Sequence, residues 1–454
     1  MKKTIEDIMD VNFGEKVEVR GWVRNIRAQQ NIAFLSLYDG STFNPLQVVF
    51  DNKEIIEKLE NVTSGCSVYV YGELVISPAK GQSHEVKAER FELISGVGDP
   101  EKYPMPMKRH SMEYLREKAH LRSRMNLPGV VMRLRSTMIN SLQQKLIEKQ
   151  FNLINTPLIT SSDCEGAGDM FQVTTLDPLK ENKDYSEDFF KKKVGLTVSG
   201  QLALEPFACS MGRVYTFGPT FRAENSHTKR HLAEFWMLEP EAAFTNKEEI
   251  IELSEDLLKH VVRKVMVKHS EEIEFLNKFV CKNLEYRLKS FSKNGYQKIT
   301  YNKAIEILLG SKKTFELEPN WGIDLSSEHE RYISEEVFNN IVVITDYPKD
   351  IKPFYMKTNK DNKTVACFDV IAPGVGEIIG GSQREDNYSI LIDNMKKEGM
   401  DIEGYKWYTD LRKYGSVEHS GFGLGIERFL SFLTGVENVR DLIPYPRVQG
   451  SINY

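Results

Sequence analysis

Gly218–Glu241 reads GPTFRAENSHTKRHLAEFWMLEPE, an extended run, a polar loop rich in His, Lys and Arg, and a second extended run. Arg222 and Glu224 stand two apart, so on a strand their side chains share a face, and Glu234 and Phe235 open the returning strand. A donor-rich, positive hairpin suits phosphates, because arginine's planar fork matches phosphate oxygens bidentately. A solvated charged hairpin is the plainer reading. Against it, FRAE and HLAEF set charges beside aromatics in otherwise apolar strands, which is costly unless the charges meet a ligand or each other.

Downstream, Ser420–Gly435 reads SGFGLGIERFLSFLTG. Too little chain follows for a βαβ unit, so a dinucleotide-binding reading of its glycines fails. A glycine-lined strand remains, over which a flat ligand can approach the backbone, followed by a helix that opens with Glu427 and Arg428. Upstream, Val131, Leu134, Met138, Leu142 and Leu146 recur at helical spacing, and FNLINTPLIT (Phe151–Thr160) follows, with Pro157 interrupting an extended run. By itself this is an ordinary helix and strand. The other strands expected after residue 130 are joined by short loops and interleaved with amphipathic helices, which predicts an antiparallel sheet flanked by helices.

Before residue 98 the pattern is all β: VEVRGWVRNI, IAFLSLY, PLQVVF, SVYVYGELVI and HEVKAERFEL, with the short helical piece NKEIIEKLE after the third run. Five strands with one helix after the third is the order of an OB barrel, although any small barrel shares the pattern. Three prolines and two glycines in GVGDPEKYPMPMK (Gly96–Lys108) mark a linker. The expected division is therefore 1–98 for the barrel, 99–129 for the hinge and 130–454 for a larger α+β domain, with 271–341 a small insertion.

The 454 residues are 41% hydrophobic and 28% charged, a globular profile that is neither disordered nor fibrous. Five cysteines without a C-x-x-C pair and nine histidines without ligand spacing indicate neither disulfides nor structural zinc. No stretch approaches a membrane span and no apolar run follows the N-terminal lysines, so no membrane partner is expected and the cytoplasm is the expected location. A net charge of −5 argues against wholesale electrostatic binding of nucleic acid, and no DNA partner is expected.

Taken together, the helix with Pro157, the F-R-x-E hairpin and G-x-G-x-G-x-E-R resemble motifs 1, 2 and 3 of the class II aminoacyl-tRNA synthetases, and the barrel resembles that of the subgroup charging aspartate, asparagine and lysine. The resemblance implies an enzyme that activates an amino acid with ATP and Mg2+ and esterifies it to tRNA, working as a homodimer through Pro157 and its helix. It implies that Arg222 holds the α-phosphate and the amino-acid carboxylate, with Glu224 near adenine, and that Arg230 and His231 meet the outer phosphates or the tRNA end. Phe235 would stack on adenine over the Gly423 and Gly425 strand, with Arg428 on the other face and on the γ-phosphate. Asp369 and Glu377 match the positions that hold Mg2+; Gly380 replaces a serine found in some relatives. Glu165 matches the contact to the α-ammonium group, and Gln201 a further amino-acid contact. Arg27, Phe34 and Gln47 fall at anticodon-contacting positions, Phe34 alternatively being barrel core.

For the amino acid, relatives that activate aspartate carry a lysine three residues after the glutamine and an aspartate four after the phenylalanine; here these positions are Leu204 and Glu239. An amide needs a donor and an acceptor, which Arg384 and Glu239 can supply. L-asparagine and tRNA(Asn) are thus the expected partners. The competing readings are an aspartate-activating enzyme, a tRNA-independent amide-forming ligase on the same fold, and a non-catalytic RNA-binding protein.

Overall fold

The computed structural model describes residues 3–454 apart from 80, 163–169, 178, 180–183 and 227. It divides into two compact units, Met1–Met132 and Arg133–Tyr454.

In the first unit, β1 (Lys16–Ala28), β2 (Ala33–Tyr38), β3 (Leu46–Phe50), β4 (Ser67–Ile76) and β5 (His84–Ser95) close into a barrel of order β1-β2-β3-β5-β4. The helix after the third strand, Lys53–Glu57, is capped by the Asn52 side chain on the Glu54 N–H. Alternation fills the barrel: Ala33, Leu35 and Leu37 are fully buried, as are Val48, Phe50, Val68 and Val70. This unit runs past the proline-rich stretch, and side chains of that stretch explain why. The Tyr103 ring lies over Gly65, where a Cβ would be 2.6 Å from the ring. Arg124 donates to the Tyr103 hydroxyl at 3.1 Å, and Arg24 donates to the Arg124 carbonyl. The segment after the barrel is thus stitched to it.

The second unit is built on an eight-stranded sheet: β6 (Asn152–Leu153), β7 (Arg213–Phe221), β8 (Glu234–Ala243), β9 (Gln297–Thr300), β10 (Val342–Thr345), β11 (Cys367–Ala372), β12 (Gly376–Gln383) and β13 (His419–Gly425). Its order is β9-β10-β11-β12-β13-β8-β7-β6, antiparallel except at the two ends, where β9 pairs parallel with β10 and β6 with β7. The long helix Asn126–Glu148 buries Val131, Leu134, Met138, Leu142 and Leu146, the periodic set read from the sequence. The helix after β13, Ile426–Thr434, ends on Gly435 at φ +72°, a left-handed cap that also admits Cys281 where a Cβ would sit 2.2 Å away. No helix among the described residues is long and apolar enough to cross a membrane.

Gly65 has φ +95° as well as the tyrosine ring above it, so Gly65→Ala combines backbone strain with a clash. It should destabilise the Met1–Met132 unit by about 1–3 kcal/mol, seen by calorimetry as a lowered transition, with earlier proteolytic cleavage around Tyr103.

Candidate active site

β8 carries Phe235, Met237, Glu239 and Glu241 on one face, because strand side chains alternate. β13 lies beside it, with Leu238 opposite Leu424 and Glu241 opposite Gly421, so Glu239 falls beside Gly423. Gly423 in turn pairs with Gly380 on β12, and Gly380 with Asp369 on β11. One row of the sheet therefore reads Glu239, Gly423, Gly380, Asp369: a carboxylate at each end and no side chain between. The neighbouring row on the opposite face is Leu238, Leu424, Ile379 and Val370, all buried.

Above one part of this trough opens a cleft lined by Arg222, Glu224, Arg230, His231, Phe235, Glu377, Gly423, Gly425 and Arg428. All nine residues expected at the nucleotide share it, together with Glu427 of the same motif and with Leu232, Met237, Ile378 and Val439, which the sequence reading did not single out. Arg222 stands over the Phe235 ring, its Cζ 5.4 Å from the centroid. Arg428 donates to the Glu377 carbonyl at 3.0 Å. His231 Nδ1 contacts the Ser226 and Thr228 hydroxyls at 3.0 and 2.5 Å. Burial and then Arg428 push the His231 pKa below its ordinary value, so positive charge in the cleft comes from arginine. The helix that bears Arg428 is anchored from below: Glu427 Oε1 is ion-paired with Arg135 at 2.7 Å, and Oε2 accepts from the Trp236 N–H at 3.1 Å.

The glycines of β13 do two jobs. Gly423 and Gly425 line the cleft, but a Cβ at Gly421 would lie 1.9 Å from Glu241, and one at Gly423 would lie 2.4 Å from the Met237 methyl. Part of the G-x-G-x-G pattern makes room for the protein's own side chains.

At the Asp369 end, Glu377 Oε1 and Asp369 Oδ1 lie 3.0 and 3.7 Å from where a Gly380 Cβ would stand. Two carboxylate oxygens converging beside an arginine-lined cleft are a fitting donor set for Mg2+, which takes one or two carboxylates and completes its shell with phosphate and water. Asp369 Oδ2 accepts from the Lys352 ammonium at 2.7 Å. Burial raises the Asp369 pKa to about 6, with Lys352 pulling it down and Glu377 pushing it up. Glu330 faces the same place, 4.0 Å from Arg230, and burial, then Glu377, raise it to about 8.

At the other end, Glu239 accepts from the Gly200 N–H at 3.0 Å and from the Ser199 hydroxyl. Burial raises its pKa, with Ser199 and Gly200 opposing. Arg384 is 2% exposed, and its buried partner is Glu241, not Glu239: Nε and Nη2 donate to the two Glu241 oxygens at 3.0 and 2.8 Å, and Nη1 to Ser382 at 2.8 Å. Of a guanidinium's five N–H groups this uses three, leaving one on each Nη. Gln201 donates to Glu205 at 3.1 Å. Glu205, fully buried, also accepts from Tyr408 at 2.9 Å and Arg412 at 2.8 Å and meets His419 at 3.0 Å. Glu205, Glu241 and His419 come close enough together to suggest a metal, but Arg412 and Arg384 already occupy both carboxylates. Glu165 lies outside the described residues.

Sequence reading missed Glu205, Glu241, Lys352 and Glu330. For two of them a signal existed: Glu241 is two from Glu239 on a strand, and Glu205 is four from Gln201 on the helix Gln201–Met211.

On the barrel, Arg27 pairs across from Phe34, and Ser36 from Gln47. Phe34 and Ser36 alternate with the buried Ala33, Leu35 and Leu37, so Phe34 points outward and is not core. Arg27, Phe34 and Gln47 share that outer face, where Gln47 donates to Glu85 at 3.1 Å. Pro157 lies in an exposed stretch with Leu158 and Ile159, both over 40% exposed.

Residues 111–449 match the tRNA synthetases class II (D, K and N), and residues 17–94 the OB-fold nucleic acid binding domain. The chain belongs to the class II tRNA synthetases. Asparagine–tRNA ligases from Haemophilus influenzae and Histophilus somni are each 51% identical to it, the first over 99% of both chains and the second over 98% and 97%. The structure of asparaginyl-tRNA synthetase from Pyrococcus horikoshii complexed with asparaginyl-adenylate is similar with TM-score 0.86 and 32% identity, covering 100% of this chain and 99% of that one. Within this class II synthetase, the buried Arg384–Glu241 pair makes a direct prediction. Glu241→Ala should cost about 3–5 kcal/mol, measured by urea unfolding, because it leaves a buried guanidinium unpaired.

Proposed function

We propose that this chain activates L-asparagine with ATP and Mg2+ in the cytoplasm and transfers it to tRNA(Asn), acting as a homodimer. Full-length identity of about half to asparagine–tRNA ligases supports the reaction. The observation that carries the substrate is the trough with Glu239 at one end, Arg384 beside it and Leu204 where aspartate-activating relatives carry lysine. Arg384 directs its remaining N–H groups to the side-chain amide oxygen, and Glu239 accepts from the amide NH2, a carboxylate having lone pairs beyond those used by Ser199 and Gly200. Gln201 and Glu165 bind the amino-acid end.

In the first step a substrate carboxylate oxygen forms a bond to the α-phosphorus as the bond to the pyrophosphate oxygen breaks. Arg222 holds both reacting groups and neutralises charge at the α-phosphate, Phe235 and Arg428 hold adenine, Glu224 lies near it, and Arg230, His231 and Arg428 hold the outer phosphates. Bound at Asp369 and Glu377, Mg2+ supplies further neutralisation on the phosphates. In the second step a terminal ribose hydroxyl of tRNA attacks the adenylate carbonyl and AMP leaves. Neither step needs a Ser-His-Asp arrangement. Arg27, Phe34 and Gln47 read the anticodon by stacking and base-edge hydrogen bonds, and the exposed stretch around Pro157 is the dimer face.

ATP–pyrophosphate exchange with asparagine and with aspartate, side by side, tests the substrate. Exchange should depend on asparagine and on Mg2+ and favour asparagine over aspartate by about 10⁴-fold; exchange with aspartate alone overturns the reading. Phe34→Ala should weaken tRNA charging by about 1–3 kcal/mol in kcat/KM while pyrophosphate exchange stays unchanged, and equal losses in both assays would refute a separate anticodon role.

A further inference from the structure

Lys352 has no part in the scheme above, yet it is the cation in contact with Asp369. It follows a single 3-10 turn, Lys349–Ile351, held by Lys349 N–H on the Lys363 carbonyl at 2.9 Å. Its side chain runs inward over the Tyr347 ring, with Nζ 4.1 Å from the centroid, and ends 2.7 Å from Asp369 Oδ2. Both side chains are 13% exposed, so this is an interior contact and not a surface pair that solvent would exchange. The Tyr347 hydroxyl adds a hydrogen bond to the same carboxylate.

The consequence lies in which oxygen remains. With Oδ2 taken by the ammonium, Asp369 offers Oδ1, the atom that converges with Glu377 Oε1 on the Gly380 position. Bidentate ligation would have to share Oδ2 with the ammonium, whereas Oδ1 is open, so a carboxylate tied in this way is biased towards ligating through one oxygen. Ca2+ accepts bidentate carboxylates and six to eight oxygens at about 2.3–2.6 Å, whereas Mg2+ demands an octahedron at about 2.0–2.1 Å and keeps single-oxygen contacts. We propose that Lys352 is a positioning residue that restricts Asp369 to one-oxygen ligation and thereby biases the site towards Mg2+-sized ions over Ca2+. This rests on the reading of Asp369 and Glu377 as metal ligands.

The test uses the full chain with saturating ATP and no amino acid, so that no turnover occurs. Mn2+, which shares the octahedral preference, is titrated by its paramagnetic resonance signal, and Ca2+ is then added as competitor. For Lys352→Met, Mn2+ affinity should fall by about tenfold, as when the partner that orients a metal ligand is lost, and Ca2+ should compete better relative to Mn2+ than in the parent chain. Lys352→Arg, which keeps a donor on Oδ2, should restore the parent preference; it also carries the test if the methionine variant does not fold, since a Ca2+ preference shifted in the arginine variant would overturn the proposal. Asp369→Asn separates the two levels of the argument. If it leaves Mn2+ binding unchanged, the assignment of Asp369 as a ligand falls, and this proposal with it. If it abolishes Mn2+ binding while Lys352→Met leaves the preference between Mn2+ and Ca2+ as in the parent chain, the positioning role is refuted.

Discussion

Side chains on a strand alternate faces, so the pairing of Leu238 with Leu424, Leu424 with Ile379 and Ile379 with Val370 decides where the chemistry of this enzyme stands. Those four residues are buried to 1% exposure or less, each worth about 1.5–3 kcal/mol of apolar burial. A slip of one residue in β8 would take Leu238 out of that row and turn Phe235, Glu239 and Glu241 to the other face of the sheet together. The apolar row thus holds in register a polar row that would not specify itself: two glycines and two carboxylates have little to gain from pairing in any particular alignment.

That arrangement gathers negative charge, and the structure answers it carboxylate by carboxylate. Glu205 meets Arg412, Glu241 meets Arg384, Asp369 meets Lys352 and Glu427 meets Arg135, each within 2.8 Å. Interior pairs of this kind add little net stability, because desolvation of both ions offsets their attraction. Their value is geometric. The ammonium fixed on Asp369 Oδ2 leaves Oδ1 towards the trough, and Gly421 is small so that Glu241 can reach its partner. Two acids are answered differently: Glu330 has Arg230 at 4.0 Å and a pKa near 8, and Glu239 is held by the Ser199 hydroxyl and the Gly200 N–H.

Much of this was legible in the sequence where period and local chemistry agree. The barrel's order of strands, the helix of Val131 to Leu146, and the hairpin and glycine strand that meet at the nucleotide cleft all declare themselves by alternation or spacing. Less legible were contacts made across the chain. Nothing near Arg384 in sequence announces Glu241, more than 140 positions away, and the structure gives Arg384 that partner where the sequence pointed only to Glu239. Lys352 reads as one of many lysines until the turn before it carries the side chain inward. The proline-rich stretch after the barrel reads as a free linker by composition, yet Tyr103 and Arg124 bind it to the barrel through contacts that composition does not encode.

The Arg384–Glu241 pair also bears on the choice of amide over acid. A lone guanidinium in a pocket would attract a carboxylate more strongly than an amide. Here the opposite charge is already in place, 2.8 Å away, so an incoming carboxylate would find two N–H donors but no uncompensated cation. It would also face Glu239, whose oxygens are held by Ser199 and Gly200 and which has no lysine beside it at Leu204. On the proposed reading an amide would meet the same groups without that repulsion, with its oxygen towards Arg384 and its NH2 towards Glu239. Selectivity on this account comes from neutralising the obvious cation rather than from adding a contact, which is why it resides in Glu241, a residue placed behind the pocket and not in it.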